Sequence, residues 1–400
     1  VQEEEASPPL AQREEAALLQ EEAPKAPEAL MRKGLLALAA IGFVLALPGA
    51  ASAIDYAPVD QPGPPLSVPQ DKLDASLACK GNPASGGHEP VLLVPGTTVN
   101  PDADFSWNWE PALDKLGIPW CAVELPGNSM DDIQVAGEYV VNAIRTLYAR
   151  AGRKIAVIGH SQGGMVPRWA FRFWPDTRSM VDDQIGFAPS NHGTIDADPL
   201  CLVGCAPALW QQRDVADFIK ALNSGQETFP GISYTDVYTH LDEVVVPNLD
   251  SSGSSSLHGG GGDIANVAVQ DICPLDTNEH LLVGTIDPVA YALAIDAMDH
   301  PGPADPSRIS SSVCTQLLMP GVNPVTFATD LASAAAVLST TLATYPHVSA
   351  EPALACYVTP SCAAAGTQGE SVQGTTPKKC KKGKHLKHGK CLRKRKHKKH

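Results

Sequence analysis

Residues 159–164 read "GHSQGG" and set Ser161 between two glycines at the spacing Gly-x-Ser-x-Gly. A serine hydroxyl attacks a carbonyl only when a histidine takes its proton. That histidine in turn needs a carboxylate to hold its tautomer and stabilise the cation. Where such a serine sits on a strand-to-helix turn, the chain order is serine, acid, histidine. In "SYTDVYTHLDEVVVP", Asp242 falls just past an expected strand at 234–239, the place for the acid. Glu243, Asp236 and Asp250 compete with it. His280, in "CPLDTNEHLLVG", follows a further expected strand, "ANVAVQDI", and opens an apolar segment. His300, in a Pro-Gly-rich loop, is the runner-up, whereas His192 and His240 precede the acid and break the order. The oxyanion formed by the attack needs backbone N–H donors. Gln162 offers one as the residue after the serine, and Thr97 in "VPGTT" offers the second, with a hydroxyl as a further donor.

These groups need elements to hold them. Residues 155–158 form a brief β-branched apolar run, the mark of a buried strand, which Gly159 ends. Met165, Trp169 and Phe173 recur every four residues and predict a helix, with Pro167 in its opening turn. Strand, sharp turn and helix together make a nucleophile elbow. Gly159 and Gly163, lacking Cβ, let strand and helix approach closely while Ser161 takes a strained backbone. The alternative is a glycine-rich turn with an incidental serine. Residues 91–94 predict another strand, followed by the turn Pro95-Gly96-Thr97.

Composition divides the 400 residues into unlike pieces. Residues 1–30 are acidic and poor in large apolar groups, and read as an upstream segment from a misplaced gene start. Residues 31–53, "MRKGLLALAAIGFVLALPGAASA", combine a basic start, an apolar centre and a small-residue end, as a signal peptide does. An anchor helix behind a cytoplasmic tail is the competing reading. Residues 54–365 are the catalytic body, and 366–400 a linker and basic, Lys/His-rich tail. Between residues 54 and 377 there are 13 Lys and Arg against 36 Asp and Glu, a balance that argues against nucleic acid as a partner. The tail, "KKCKKGKHLKHGKCLRKRKHKKH", reverses that charge and suits an anionic wall polymer or membrane surface. Ten cysteines behind a signal predict disulfides in an oxidising compartment, although spacing alone does not give their connectivity. Cys201 and Cys205 are spaced to close a small loop near the expected site entrance. In the tail, Cys380 and Cys391 suit a disulfide, and Cys380, His385, His388 and Cys391 together offer zinc-ligand chemistry as the alternative.

The assembled motifs resemble the Candida antarctica lipase B-like group of α/β-hydrolases. The resemblance runs with gaps from about Cys79 to Cys362, through "VPGTT", "NWEPALDKLGIPWC", "IQVAGEYVVNAIRTLYA", "HSQGGMVPRW", "FAPSNHGT", "LWQQ", "DEVVVP" and the His280 segment. It implies Ser161, Asp242 and His280 as nucleophile, acid and base, with Thr97 and Gln162 at the oxyanion. It also implies the disulfides Cys79–Cys121, Cys273–Cys314 and Cys356–Cys362, the last around a much shorter loop here. Two positions depart from the family's yeast member. His160 replaces a tryptophan that bounds the alcohol pocket, and Ser190 replaces an aspartate of the acyl pocket. The Cys201–Cys205 segment and the tail are further departures, and substrate selectivity does not transfer.

The fold expected is one α/β-hydrolase domain, a mostly parallel sheet with helices on both faces, plus the basic tail. The expected function is a secreted serine lipase or esterase that hydrolyses acylglycerol-type carboxylic esters through an acyl-serine. It should act as a monomer on an ester or lipid substrate, without metal or organic cofactor. The apolar stretch "PVTFATDLASAAAVLSTTLA" suits an acyl-chain pocket. A wall-associated acyltransferase and a non-catalytic hydrolase-fold binding protein are the alternatives.

Overall fold

The computed structural model describes residues 54–360 and, for backbone alone, 384–387 and 390–393. The expected signal and upstream segment lie outside the described residues. Strands β1 (Leu77–Lys80), β2 (Val91–Val94), β3 (Trp120–Val123), β4 (Ile155–His160), β5 (Val181–Phe187), β6 (Ser233–Tyr238) and β7 (Asp263–Ala268) form one sheet. Its order is β1-β3-β2-β4-β5-β6-β7. Only β1 runs antiparallel to its neighbour; every other pair is parallel. This is the mostly parallel sheet expected from the sequence.

The central strands are continuous apolar runs because both faces are covered. Along β2, Leu92 and Val94 face one core, and Val91 and Leu93 face the other. The first core is closed by the helices Ile133–Ala151 and Gln162–Phe173, the second by Trp109–Leu116 and Pro288–Asp299. Helix Ile133–Ala151 has clear stops: the Asp132 side chain accepts from the Gln134 N–H, and left-handed Gly152 ends it.

Two boundaries differ from expectation. Helix Gln162–Phe173 starts directly after Ser161, so Pro167 lies in the second turn and not the first. There it removes the intrahelical donor to the Gly163 carbonyl. The segment "ANVAVQDI" is strand only to Ala268. Residues Val269–Ile272 coil into a helical turn, in which the Asp271 carboxylate accepts the Ala268 N–H.

Three disulfides close within the body: Cys79–Cys121, Cys201–Cys205 and Cys273–Cys314. Cys356 is also disulfide-bonded, but Cys362 lies outside the described residues. So do Cys380 and His388. In the tail, Lys384–Lys387 and Lys390–Arg393 pair as an antiparallel hairpin. Among the described residues no helix is long and apolar enough to cross a membrane.

Candidate active site

Four segments meet at the carboxyl ends of the strands. Thr97 follows β2, Ser161 follows β4, Asp242 follows β6, and His280 lies beyond β7. The turn at Ser161 has the elbow's geometry, with φ 53° and ψ −122° on a non-glycine residue. Only glycines fit around it. A Cβ on Gly159 would lie 2.0 Å from the Gly163 oxygen, and one on Gly163 would lie 2.0 Å from the Val94 oxygen. On the facing loop, a Cβ on Gly96 would lie 3.3 Å from the Ser161 Cβ, so the Thr97 turn runs hard against the elbow.

Asp242 and His280 come together from 38 residues apart. His280 Nδ1 lies 3.0 Å from each Asp242 carboxylate oxygen. The Val244 and Val245 N–H groups donate to Asp242 Oδ1 at 3.0 and 2.7 Å, and Asn248 Nδ2 donates to Oδ2 at 3.2 Å. Burial works to raise the Asp242 pKa. The His280 ring and the two backbone donors outweigh it and hold the carboxyl below the ordinary aspartate range. Glu279 caps the helix His280–Thr285, which His280 opens.

The competing residues sit elsewhere or act differently. Asp236 is fully buried in β6, where burial pushes its carboxyl up to about 8 and Asn191 Nδ2 donates to it at 2.7 Å. Asp250 is exposed. Glu243 is at the cavity but accepts the His280 backbone N–H, at 3.3 Å. His300 pairs with Asp296, and His192 with Glu227.

Ser161, Thr97, His160 and His280 line one cavity of about 640 Å³, whose remaining wall includes Leu200, Leu209, Val244, Val245, Leu338 and Leu342. Leu338 and Leu342 come from the helix Phe327–Thr344, so the apolar stretch expected to serve an acyl pocket does line it. Leu200 stands beside the Cys201–Cys205 loop, which therefore lies at the cavity as expected.

The Gln162 side chain is buried behind this wall and donates to the Ser129 carbonyl at 2.9 Å and to Thr97 Oγ1 at 3.2 Å. Its N–H is the first of a helix and has no partner inside it. Ser190 is a correction. It is fully buried and does not line the cavity; its hydroxyl donates to Gln212 Oε1 at 3.0 Å. Gln212 stands in front of it, lines the cavity, and donates to Thr97 Oγ1 at 3.0 Å. His160 does line the cavity, but its ring is held from behind by the buried Asp104, with Nδ1 and Oδ1 2.9 Å apart. Sequence reading missed Asp104 and Gln212. The doubled glutamine in "LWQQ" is the one local signal for Gln212, and Asp104 has none.

No protein-family model matches the chain. It is 37% identical over 249 residues to lipase B of Pseudozyma antarctica, a match covering 62% of this chain and 72% of that protein. The crystal structure of Aspergillus fumigatus lipase B superposes with a TM-score of 0.68 at 30% identity, over 76% of this chain and 74% of the other. Sequence and fold agree with these relatives: the chain belongs to the lipase B family of α/β-hydrolases and is a lipase/esterase-type carboxylic ester hydrolase.

Proposed function

We propose that the chain cleaves acylglycerol-type esters through an acyl-serine on Ser161. The observation that carries this reading is the His280–Asp242 contact beside an aliphatic cavity that Ser161 also lines. With Nδ1 bound to Asp242, Nε2 is the ring nitrogen left to take the serine proton. The Ser161 oxygen then bonds to the ester carbonyl carbon. The carbonyl's electron pair moves to its oxygen, where the Thr97 and Gln162 N–H groups receive it. Collapse breaks the ester bond, and His280 gives its proton to the leaving alkoxide. Water repeats the sequence on the acyl-serine and releases the acid. The Leu338 and Leu342 side chains offer the acyl chain an apolar wall.

The test is Ser161→Ala against the parent on p-nitrophenyl esters and tributyrin. The expected loss is on the order of 10⁶-fold, since members of a triad act as a unit. A variant within about tenfold of the parent refutes the assignment.

The finer claims rest on other features. Disulfides suit an oxidising destination, in line with secretion after cleavage of residues 31–53. The cationic tail suits retention on an anionic wall polymer or membrane surface, screened by salt. N-terminal sequencing at Ile54 and salt-dependent retention with and without residues 377–400 test these claims.

A further inference from the structure

His160 is tied at both ends of its ring. Nδ1 lies 2.9 Å from Asp104 Oδ1, and Nε2 lies 3.2 Å from the backbone oxygen of His280. Its side chain is 4% exposed, and that of Asp104 not at all. The second Asp104 oxygen accepts the Gly96 N–H at 2.8 Å. The ring is also wedged, since a Cβ on Gly284 would lie 2.3 Å from His160 Cδ2. A carboxylate and a carbonyl both accept, so both contacts are hydrogen bonds only when the ring carries two protons. Burial opposes that charge. Asp104, the His280 carbonyl and Asp242 outweigh burial and raise the ring's pKa above the ordinary histidine value. The other titratable groups nearby are the His280 ring, with its centroid 5.4 Å away, and Asp196, Glu243 and Glu279 on the same cavity.

We propose that the Asp104–His160 ion pair is a positioning clamp for ester cleavage, fixing the oxyanion loop and the histidine helix against the serine elbow. The inference rests on the reaction proposed above. Three segments far apart in sequence share this one carboxylate. Oδ2 holds the Gly96 N–H and with it the turn that presents Thr97. Oδ1 holds the residue directly before Ser161. Through the imidazolium, the same carboxylate reaches the main chain of His280, whose N–H goes to Glu243 and whose Nδ1 goes to Asp242. Neither Asp104 nor the His160 ring need touch substrate; their effect passes through the residues they hold. Misplacing a reacting group by about 1 Å costs on the order of 10²-fold in rate.

The experiment uses the full chain and the double variant Asp104→Asn/His160→Phe. The asparagine carbonyl still accepts the Gly96 N–H and no lone charge is buried, while the links from residue 104 to the side chain at 160 and from there to the His280 main chain are lost. The single variant His160→Phe would strand the Asp104 carboxylate and is avoided. Active sites are counted by complete fluorophosphonate labelling of Ser161, and kcat per labelled site is measured on p-nitrophenyl butyrate. The expected result is a fall in kcat of about 10²-fold with a much smaller change in KM, because position 160 is the one place where the variant alters the cavity wall. A kcat per labelled site within about threefold of the parent, with only a lower Tm, overturns the clamp and leaves a structural pair. Independently of activity, nitrogen NMR on the parent should show both His160 ring nitrogens protonated at pH 7.5; a neutral tautomer there overturns the proposal. If the double variant does not fold, Asp104→Asn/His160→Leu is read by the same kcat comparison, and the same outcomes decide. A parent that hydrolyses no ester sinks the reaction assignment instead, and the ring measurement still reads the ion pair.

Discussion

Asp242→Asn separates the two jobs proposed for Asp242, because the surrounding donors dictate how an amide must sit. The Val244 and Val245 N–H groups both point at Oδ1, at 3.0 and 2.7 Å, so the asparagine carbonyl takes that place. The opposite orientation would set an NH2 against two backbone donors. The NH2 group therefore falls at the Oδ2 position, facing His280 Nδ1 at 3.0 Å, where it gives up the single longer Asn248 Nδ2 bond in place of the two backbone ones. An NH2 donates, so Nδ1 must accept, and the ring proton moves to Nε2. In that tautomer Nε2 cannot take the Ser161 proton, and no carboxylate remains to stabilise the imidazolium. The loss expected is about 10⁴-fold in kcat. At 1.36 kcal/mol per decade this is about 5.4 kcal/mol of transition-state stabilisation. The assay is kcat on p-nitrophenyl butyrate, per fluorophosphonate-labelled site, with a melt confirming the fold. A variant within about tenfold of the parent would refute the reasoning and move the acid to another residue.

Gly163→Ala should yield little folded enzyme, because its Cβ would meet the Val94 and Pro95 backbone oxygens at 2.0 and 2.7 Å with no side chain to yield; parent-like melting and ester hydrolysis would contradict this. Loop length ranks the disulfides. Replacing Cys273 and Cys314 by serine, at a separation of 41, should cost about 4 kcal/mol, and replacing Cys201 and Cys205, at a separation of 4, about 2 kcal/mol. Denaturant midpoints check the order. Burial, with Glu89 and Asp182 adding to it, pushes the Asp183 carboxyl up to about 8. The folded state then holds a proton that the unfolded state releases near the ordinary aspartate value, so this group costs stability progressively as pH rises from about 4 to 8. Asp183→Asn should match the parent at pH 4 and exceed it by about 2–4 °C in Tm at pH 8 for each kcal/mol recovered; a gap that does not change with pH would count against it.

The sequence by itself determined the local features. Buried parallel strands need unbroken apolar runs, and the elbow needs glycines where no Cβ fits. The segments 91–94 and 155–158 and the spacing around Ser161 were therefore legible. Chain order and the expected strand ends favoured Asp242 and His280 as the proposed acid and base, over a few competitors. Packing adds what separates them from the competitors. Asp236 is enclosed within β6 and bound by Asn191, whereas the loop past Tyr238 turns Asp242 onto the His280 ring. The pairing of Cys79 with Cys121 follows from the antiparallel register of β1 on β3, which sets these two residues opposite each other. Sequence spacing carries no such register. Ser190 and Asp104 show the same limit from opposite sides. A side chain one layer behind a wall looks the same in sequence as one in the wall, so Ser190 was misplaced. Asp104 makes its contacts at Gly96, eight residues away, and His160, 56 away, and through that ring reaches His280, 120 residues beyond. Nothing in the residues flanking Asp104 records those neighbours, because they are fixed only when the strands and helices dock.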